Sequence, residues 1–207
     1  MIDRRAALGI RAHAGWAAVV AVAGSFDEPL VLANRRLPIA ASTDVMHTQP
    51  YHVAAELGAL RGRIVVERCA ADAEAVAKAA FARFAGEFPQ HAFGACAILT
   101  PRNREPVEFE MVLRSHALVH AAEGILFRTA VARAAAACNL EIHAYEEDEL
   151  LSGAAAAWRT APQRVERAVN GLGRSAGRPW ARDQKLATLA ALLALHVQRK
   201  TVRRRAG

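Results

Sequence analysis

Apolar residues open this chain in two blocks separated by a glycine turn. Ala6 to Ala12 is short, apolar and ends on charge; Trp16 to Ala23 runs apolar without interruption and is rich in valine. Both blocks read as strands, the second buried on two faces. Between them, His13-Ala14-Gly15 supplies the bend, since glycine takes positive φ without steric cost. Leu30 to Ile39 sets Leu30, Leu32, Leu37 and Ile39 around Arg35 and Arg36, and reads as a third strand.

The pattern then changes period. Ala40 to Pro50 reads as a loop and His52 to Leu60 as a short helix. Arg63 to Val66 reads as a short strand or as the approach to the next helix. Ala70 to Phe84 carries Ala73, Val76, Ala77, Ala80, Phe81 and Phe84 on one stripe, which predicts a helix that stops before Pro89. His91 to Leu99 reads as a small-residue strand followed by a turn over Thr100-Pro101-Arg102-Asn103. A long helix is expected from Val107 or Glu110 to Cys138, with Asn139 as a left-handed cap. Leu140 to Tyr145 alternates as a strand. Glu146 to Trp158 reads as a helix whose four leading acids suit its dipole. Pro162 to Asn170 is expected to be helical, Gly171 to Gly177 a flexible basic loop, and Ala181 to about Val197 the final helix.

Three strands followed by helix, strand, helix, strand and helix define an α/β chain: a three-strand antiparallel meander that feeds alternating helices and strands, with helices on both faces. At 207 residues and 53% apolar composition it has enough material for one core. Residues 1–198 are expected to form a single domain and 199–207 a flexible basic tail. No apolar run reaches the roughly 18 to 20 residues of a membrane span. The first residues also lack the features of a signal peptide, so no membrane association and a cytoplasmic location are expected. Cys69, Cys96 and Cys138 are odd in number and widely spaced, as free thiols are.

Charge narrows the partners. The net charge is +7, and from Arg159 onward there are twelve Lys or Arg against two acids, a local +10 beside −3 for the rest. Such a basic third suits a polyanion, and nucleic acid, DNA or RNA, is the expected partner.

Two groups of residues could carry chemistry. In the last helix, Asp183, Leu186, Ala187, Ala190, Leu193 and Val197 share a face, which places an acid on the core-facing stripe of the first turn. A buried carboxylate requires a hydrogen bond, an ion pair or a metal. Asp183 therefore either caps the helix or meets an arginine, or it binds metal. In Ser115-His116-Ala117-Leu118-Val119-His120-Ala121-Ala122-Glu123, His116, His120 and Glu123 fall on one helical face. They can form a buried polar pair with its partner, or ligate one transition metal with Glu123 as ligand or general base.

The order of elements resembles the ribonuclease H-like fold. Asp183-Gln184-Lys185-Leu186-Ala187-Thr188-Leu189-Ala190-Ala191-Leu192-Leu193 is similar to the final helix of the bacterial Holliday-junction resolvases, whose members carry acids at its start. Glu123-Gly124-Ile125-Leu126-Phe127-Arg128 through Asn139-Leu140-Glu141-Ile142, and Val165 to Gly171, resemble further segments of that family. The resemblance implies a nuclease in which clustered carboxylates hold two divalent metals that activate water and stabilise the leaving oxygen. The departures are specific. The family's first-strand acid is missing, because Leu8-Gly9-Ile10 is followed by Arg11-Ala12-His13. His91 to Leu99 offers no second acid, and Lys185 and Leu186 stand where another would fall.

The expectation is thus a resolvase-related protein that binds nucleic acid through Arg11, Arg174, Arg178 and Arg182, and that allows for a homodimer. Catalysis would need a divergent centre of His116, His120, Glu123 and Asp183 holding Mg²⁺, Mn²⁺ or Zn²⁺, with His13 nearby and Asp183 or Glu123 holding the attacking water. The alternative is a degenerate module that binds nucleic acid or a partner protein without cleavage. A third reading is an unrelated metal enzyme acting on a small molecule.

Overall fold

A computed structural model describes residues 4–102 and 108–206, with side chains through residue 199. Asn103 of the expected turn, the start of the long helix at Val107 and the side chains of the terminal Lys200 to Arg205 lie outside the described residues.

The first three strands are β1 (Arg5–His13), β2 (Trp16–Gly24) and β3 (Pro29–Pro38). They form an antiparallel meander in which His13 pairs with Trp16 across the turn and Gly15 takes φ +77°. Three helices follow, α1 (Val45–Thr48), α2 (Pro50–Leu57) and α3 (Ala59–Gly86). Next come β4 (Ala92–Thr100), α4 (Phe109–Leu113), α5 (His116–Ala137) and β5 (Glu141–Glu146). The chain ends with α6 (Leu150–Ala157), α7 (Pro162–Gly171), α8 (Gly173–Ala176) and α9 (Arg182–Ala206). The sheet order is β3-β2-β1-β4-β5, with β4 parallel to β1 and β5 parallel to β4.

Side-chain alternation divides the core between the two faces. Leu8, Ile10, Val19, Ala21, Cys96 and Ile98 meet the apolar stripes of α3 and α5, where Phe81, Phe84, Phe127 and Val131 are buried. Ala7, Val20, Val22, Ala95, Ala97 and Leu99 meet α6, α7 and α9. Gly9 lies on the second face, and a Cβ there would overlap the Ala187 carbonyl oxygen, so α9 crosses β1 in direct backbone contact.

Several boundaries differ from the sequence reading. Arg63 to Val66 belongs to α3, because Val66 and Cys69 pack into the core from a helix that already carries Ala73 and Ala77. This tertiary packing overrides the β preference of the branched residues. The long helix is broken before His116: Ser115 is extended, at φ −131° and ψ 114°, and its Oγ accepts the Leu118 N–H to cap α5. Asn139 takes φ +59°, the left-handed cap expected of it. The acids Glu146 to Glu149 precede α6 rather than forming its first turn, α8 lies within the expected basic loop, and α9 continues past Val197 to Ala206. Cys69, Cys96 and Cys138 are free thiols. No helix among the described residues is long and apolar enough to cross a membrane.

Candidate functional site

Strand parity carries Arg11 and His13 to the α9 side of the sheet. They continue the alternation of Ala7 and Gly9 beyond the point where the core ends. The Gly9 crossing brings the first turn of α9 over the same end of β1, so Asp183 meets both side chains. Arg11 Nη1 donates to Asp183 Oδ1 at 2.7 Å, and His13 Nε2 lies 2.8 Å from Asp183 Oδ2.

Glu147 closes the network from just beyond β5. Its backbone N–H donates to the Thr100 carbonyl, which holds the turn beside the end of β4. Arg11 Nε donates to Glu147 Oε1 at 2.8 Å and Arg11 Nη2 to Oε2 at 3.2 Å, a two-pronged contact; Arg182 Nη2 also donates to Oε2 at 3.2 Å. The side chains of Arg11, Asp183 and Glu147 are 22%, 22% and 17% exposed, so this is a half-buried network in which each charge requires its partner. Burial lowers the Arg11 pKa, but hydrogen bonds and charge from Glu147 and Asp183 outweigh it and the net shift is upward. A further cation, Arg128 on α5, feels the Glu147 charge; burial lowers its pKa and Glu147 opposes that. His13 stacks on Trp16 with centroids 4.1 Å apart, and the Arg36 guanidinium lies 3.9 Å from the Trp16 ring centroid.

The two divalent metals implied by the resemblance do not fit here. Both oxygens of Asp183 and both of Glu147 accept from cationic or imidazole donors, and a guanidinium stands between the two carboxylates. An arginine at this point repels a dication and consumes the lone pairs it would need.

The second group forms on the other face. The imidazoles of His116 and His120, at the start of α5, meet His52 from the first turn of α2, and one ligand atom from each of the three lies within 4.8 Å of the others. Glu123, one turn further along α5, is 3% exposed and accepts from His52 Nδ1 at 2.9 Å and from the His52 backbone N–H at 3.3 Å. His120 Nδ1 is 3.9 Å from the other Glu123 oxygen.

These positions correct the expected site. Asp183 does not join His116, His120 and Glu123, because α9 and α5 pack on opposite faces of the sheet. His13 does lie beside Asp183, but as its hydrogen-bond partner. Arg11, expected on a phosphate, spends its donors on two carboxylates. Arg182 shares Glu147 yet remains 70% exposed, and Arg174 and Arg178 are exposed in and after α8. Two participants were missed. Glu147 was read as one of four dipole-matched surface acids, although an acid directly after a parallel strand is placed to reach its neighbour's end. The sequence reading places His52 only at the start of a short helix, and nothing local marks it as a partner of α5.

The strand order, the directions and the helices on both faces define a ribonuclease H-like fold. Two solved structures of the Thermus thermophilus resolvase RuvC share it. One, in complex with a Holliday junction substrate, is 15% identical with a TM-score of 0.56; the other is 17% identical with a TM-score of 0.55. In each case the likeness covers 95% of this chain and 96% of the other. No protein-family model matches the chain, and no curated protein matches it by sequence.

Proposed function

We propose that this protein is a catalytically degenerate ribonuclease H-like module that binds nucleic acid without cleaving it. The observation that carries this reading is the Arg11 guanidinium clamped between Asp183 and Glu147 at the end of β1. Outside this clamp Arg182 remains 70% exposed, and Arg174 and Arg178 add exposed charge nearby in sequence, a local balance in favour of cations. That balance suits phosphate oxygens, which guanidinium groups engage through paired N–H donors. The RuvC structure bound to a Holliday junction substrate supports a branched or duplex ligand as the first to try.

The test is titration of labelled duplex, branched and single-stranded nucleic acid at several salt concentrations, with and without Mn²⁺. Binding that weakens steeply with salt and leaves the strands intact is the expected result. Mn²⁺-dependent cleavage, lost in Asp183→Asn, would overturn the non-cleaving reading in favour of a divergent nuclease. Absence of binding at low salt would overturn the nucleic-acid reading itself.

A further inference from the structure

The histidine group on α2 and α5 has a feature that a chance cluster lacks: a carboxylate beneath it. Glu123 is buried, and among the described residues its hydrogen bonds come only from the His52 ring and backbone. No lysine or arginine among them pairs with it. A buried carboxylate whose partners are imidazoles, with no guanidinium or ammonium beside it, favours a cation at the far side of the rings.

The rings are turned to receive one. His52 and His120 both direct Nδ1 at Glu123, which leaves each Nε2 pointing away from the carboxylate. His116 Nε2 and His120 Nε2 stand 3.2 Å apart. With Zn–N bonds of about 2.0–2.1 Å, two ligands of a tetrahedral ion lie about 3.3–3.4 Å apart, so this pair already has that spacing. The ring centroids of His52 and His120 are 4.7 Å apart, and those of His52 and His116 5.4 Å. One donor atom from each of the three rings lies within 4.8 Å of the others, so the third imidazole needs to close by at most about 1.5 Å to reach the same ion. His116 and His120 are exposed, so small χ rotations are free to bring this about. Imidazole donors select Zn²⁺ and its late transition-metal neighbours over Mg²⁺ or Ca²⁺, which prefer oxygen.

We propose that His52, His116 and His120 bind one Zn²⁺-class ion through Nε2, with Glu123 as a positioning residue that holds His52 through its Nδ1–H. The ion ties the first turn of α2 to the first turns of α5. Its fourth coordination position faces solvent and takes water. The site lies across the sheet from the strand-end network, and the proposal does not rest on nucleic-acid binding.

The experiment uses the full chain stripped of metal. Zn²⁺ is titrated by calorimetry, and Co²⁺ is titrated with its visible d–d absorption as the readout of geometry. The expected result is one ion per chain with a Kd of micromolar or tighter, a tetrahedral Co²⁺ spectrum abolished by added Zn²⁺, and no competition from excess Mg²⁺. His116→Ala and His120→Ala should each weaken binding at least about a hundredfold while leaving metal-free melting unchanged. Glu123→Gln should weaken it about 10- to 100-fold with the stoichiometry preserved, the size expected for a carboxylate that orients a ligand histidine. Absence of uptake at micromolar Zn²⁺, uptake indifferent to both alanine variants, or an ion bound only between two chains would overturn the proposal.

Discussion

The protein holds two clusters built from the same chemical parts, histidine and carboxylate, and they reach opposite electrostatic solutions. At the end of β1, Asp183 and Glu147 face Arg11, and the chain itself supplies the cation. On α5, Glu123 is more deeply buried, at 3% exposure, and among the described residues it is bonded by the His52 ring and backbone N–H, with no guanidinium beside it. A guanidinium is a permanent charge with a rigid fork of donors, so the first cluster is complete and closed to metal. Imidazole is a conditional charge with a lone pair, so the second can accept an ion. Whether a carboxylate cluster reads as a metal site thus depends less on the acids than on which base the fold places opposite them.

The most severe way to break the comparison is through the backbone contact that assembles only the first cluster. Gly9→Ala drives a methyl group into the Ala187 carbonyl and pushes α9 from β1. A loss of at least about 3 kcal/mol is expected in urea unfolding, at the upper end of overpacking effects. Arg11→Ala is next. It leaves Asp183 and Glu147 half-buried without their cation, and a loss of about 3 kcal/mol is expected by the same measurement, as for other buried pairs deprived of one partner. Neither change should alter Zn²⁺ uptake at the histidines if the protein is assayed below its transition.

The second cluster responds to metal where the first does not. Zn²⁺ at a hundred times its Kd should add about 2.7 kcal/mol to stability by mass action, seen as a rise in Tm. In His120→Ala the same Zn²⁺ concentration should add about 0.4 kcal/mol or less, whereas in Arg182→Ala the full rise should persist. Smaller still is the effect of exposed charge. Arg174→Ala and Arg178→Ala should each lower nucleic-acid affinity several-fold and reduce the slope of log K against log salt by about 1, without changing Tm.

The smallest effect separates the clusters by pH. Burial first, then the charges of Asp72 and Glu123, push the Cys69 thiol up to about 11. The folded state therefore favours the protonated thiol. Its contribution is complete below the ordinary thiol pKa near 9 and is lost as pH rises through 11. Burial first, with Glu141, pushes Tyr145 up to about 12, with the same sign at higher pH. The Arg11 pKa is raised, so the strand-end network keeps its charge across this window. Alkaline melting curves of Cys69→Ala should be flatter between pH 9 and 11 than those of the parent.

Much of this was legible in the chain. The meander follows from two apolar blocks and a glycine, and the succession of helices and strands from the change of period that comes after them. Arg11 after Gly9-Ile10 already marked the missing acid, and the helical spacing of His116, His120 and Glu123 already placed them on one face. The helix boundaries at Arg63 and Ser115 were harder, because packing and a single cap hydrogen bond decided them rather than periodicity.

Local spacing therefore determined which residues share a strand or a helix face, since backbone geometry alone sets those periods. Only the tertiary structure decided which faces meet. It separated Asp183 from the α5 histidines by a sheet, joined it to Arg11, brought Glu147 across from β5, and supplied His52 from 64 residues upstream of His116. These are contacts between distant segments, fixed by burial on the two sides of the sheet, and no short-range pattern in the chain records them.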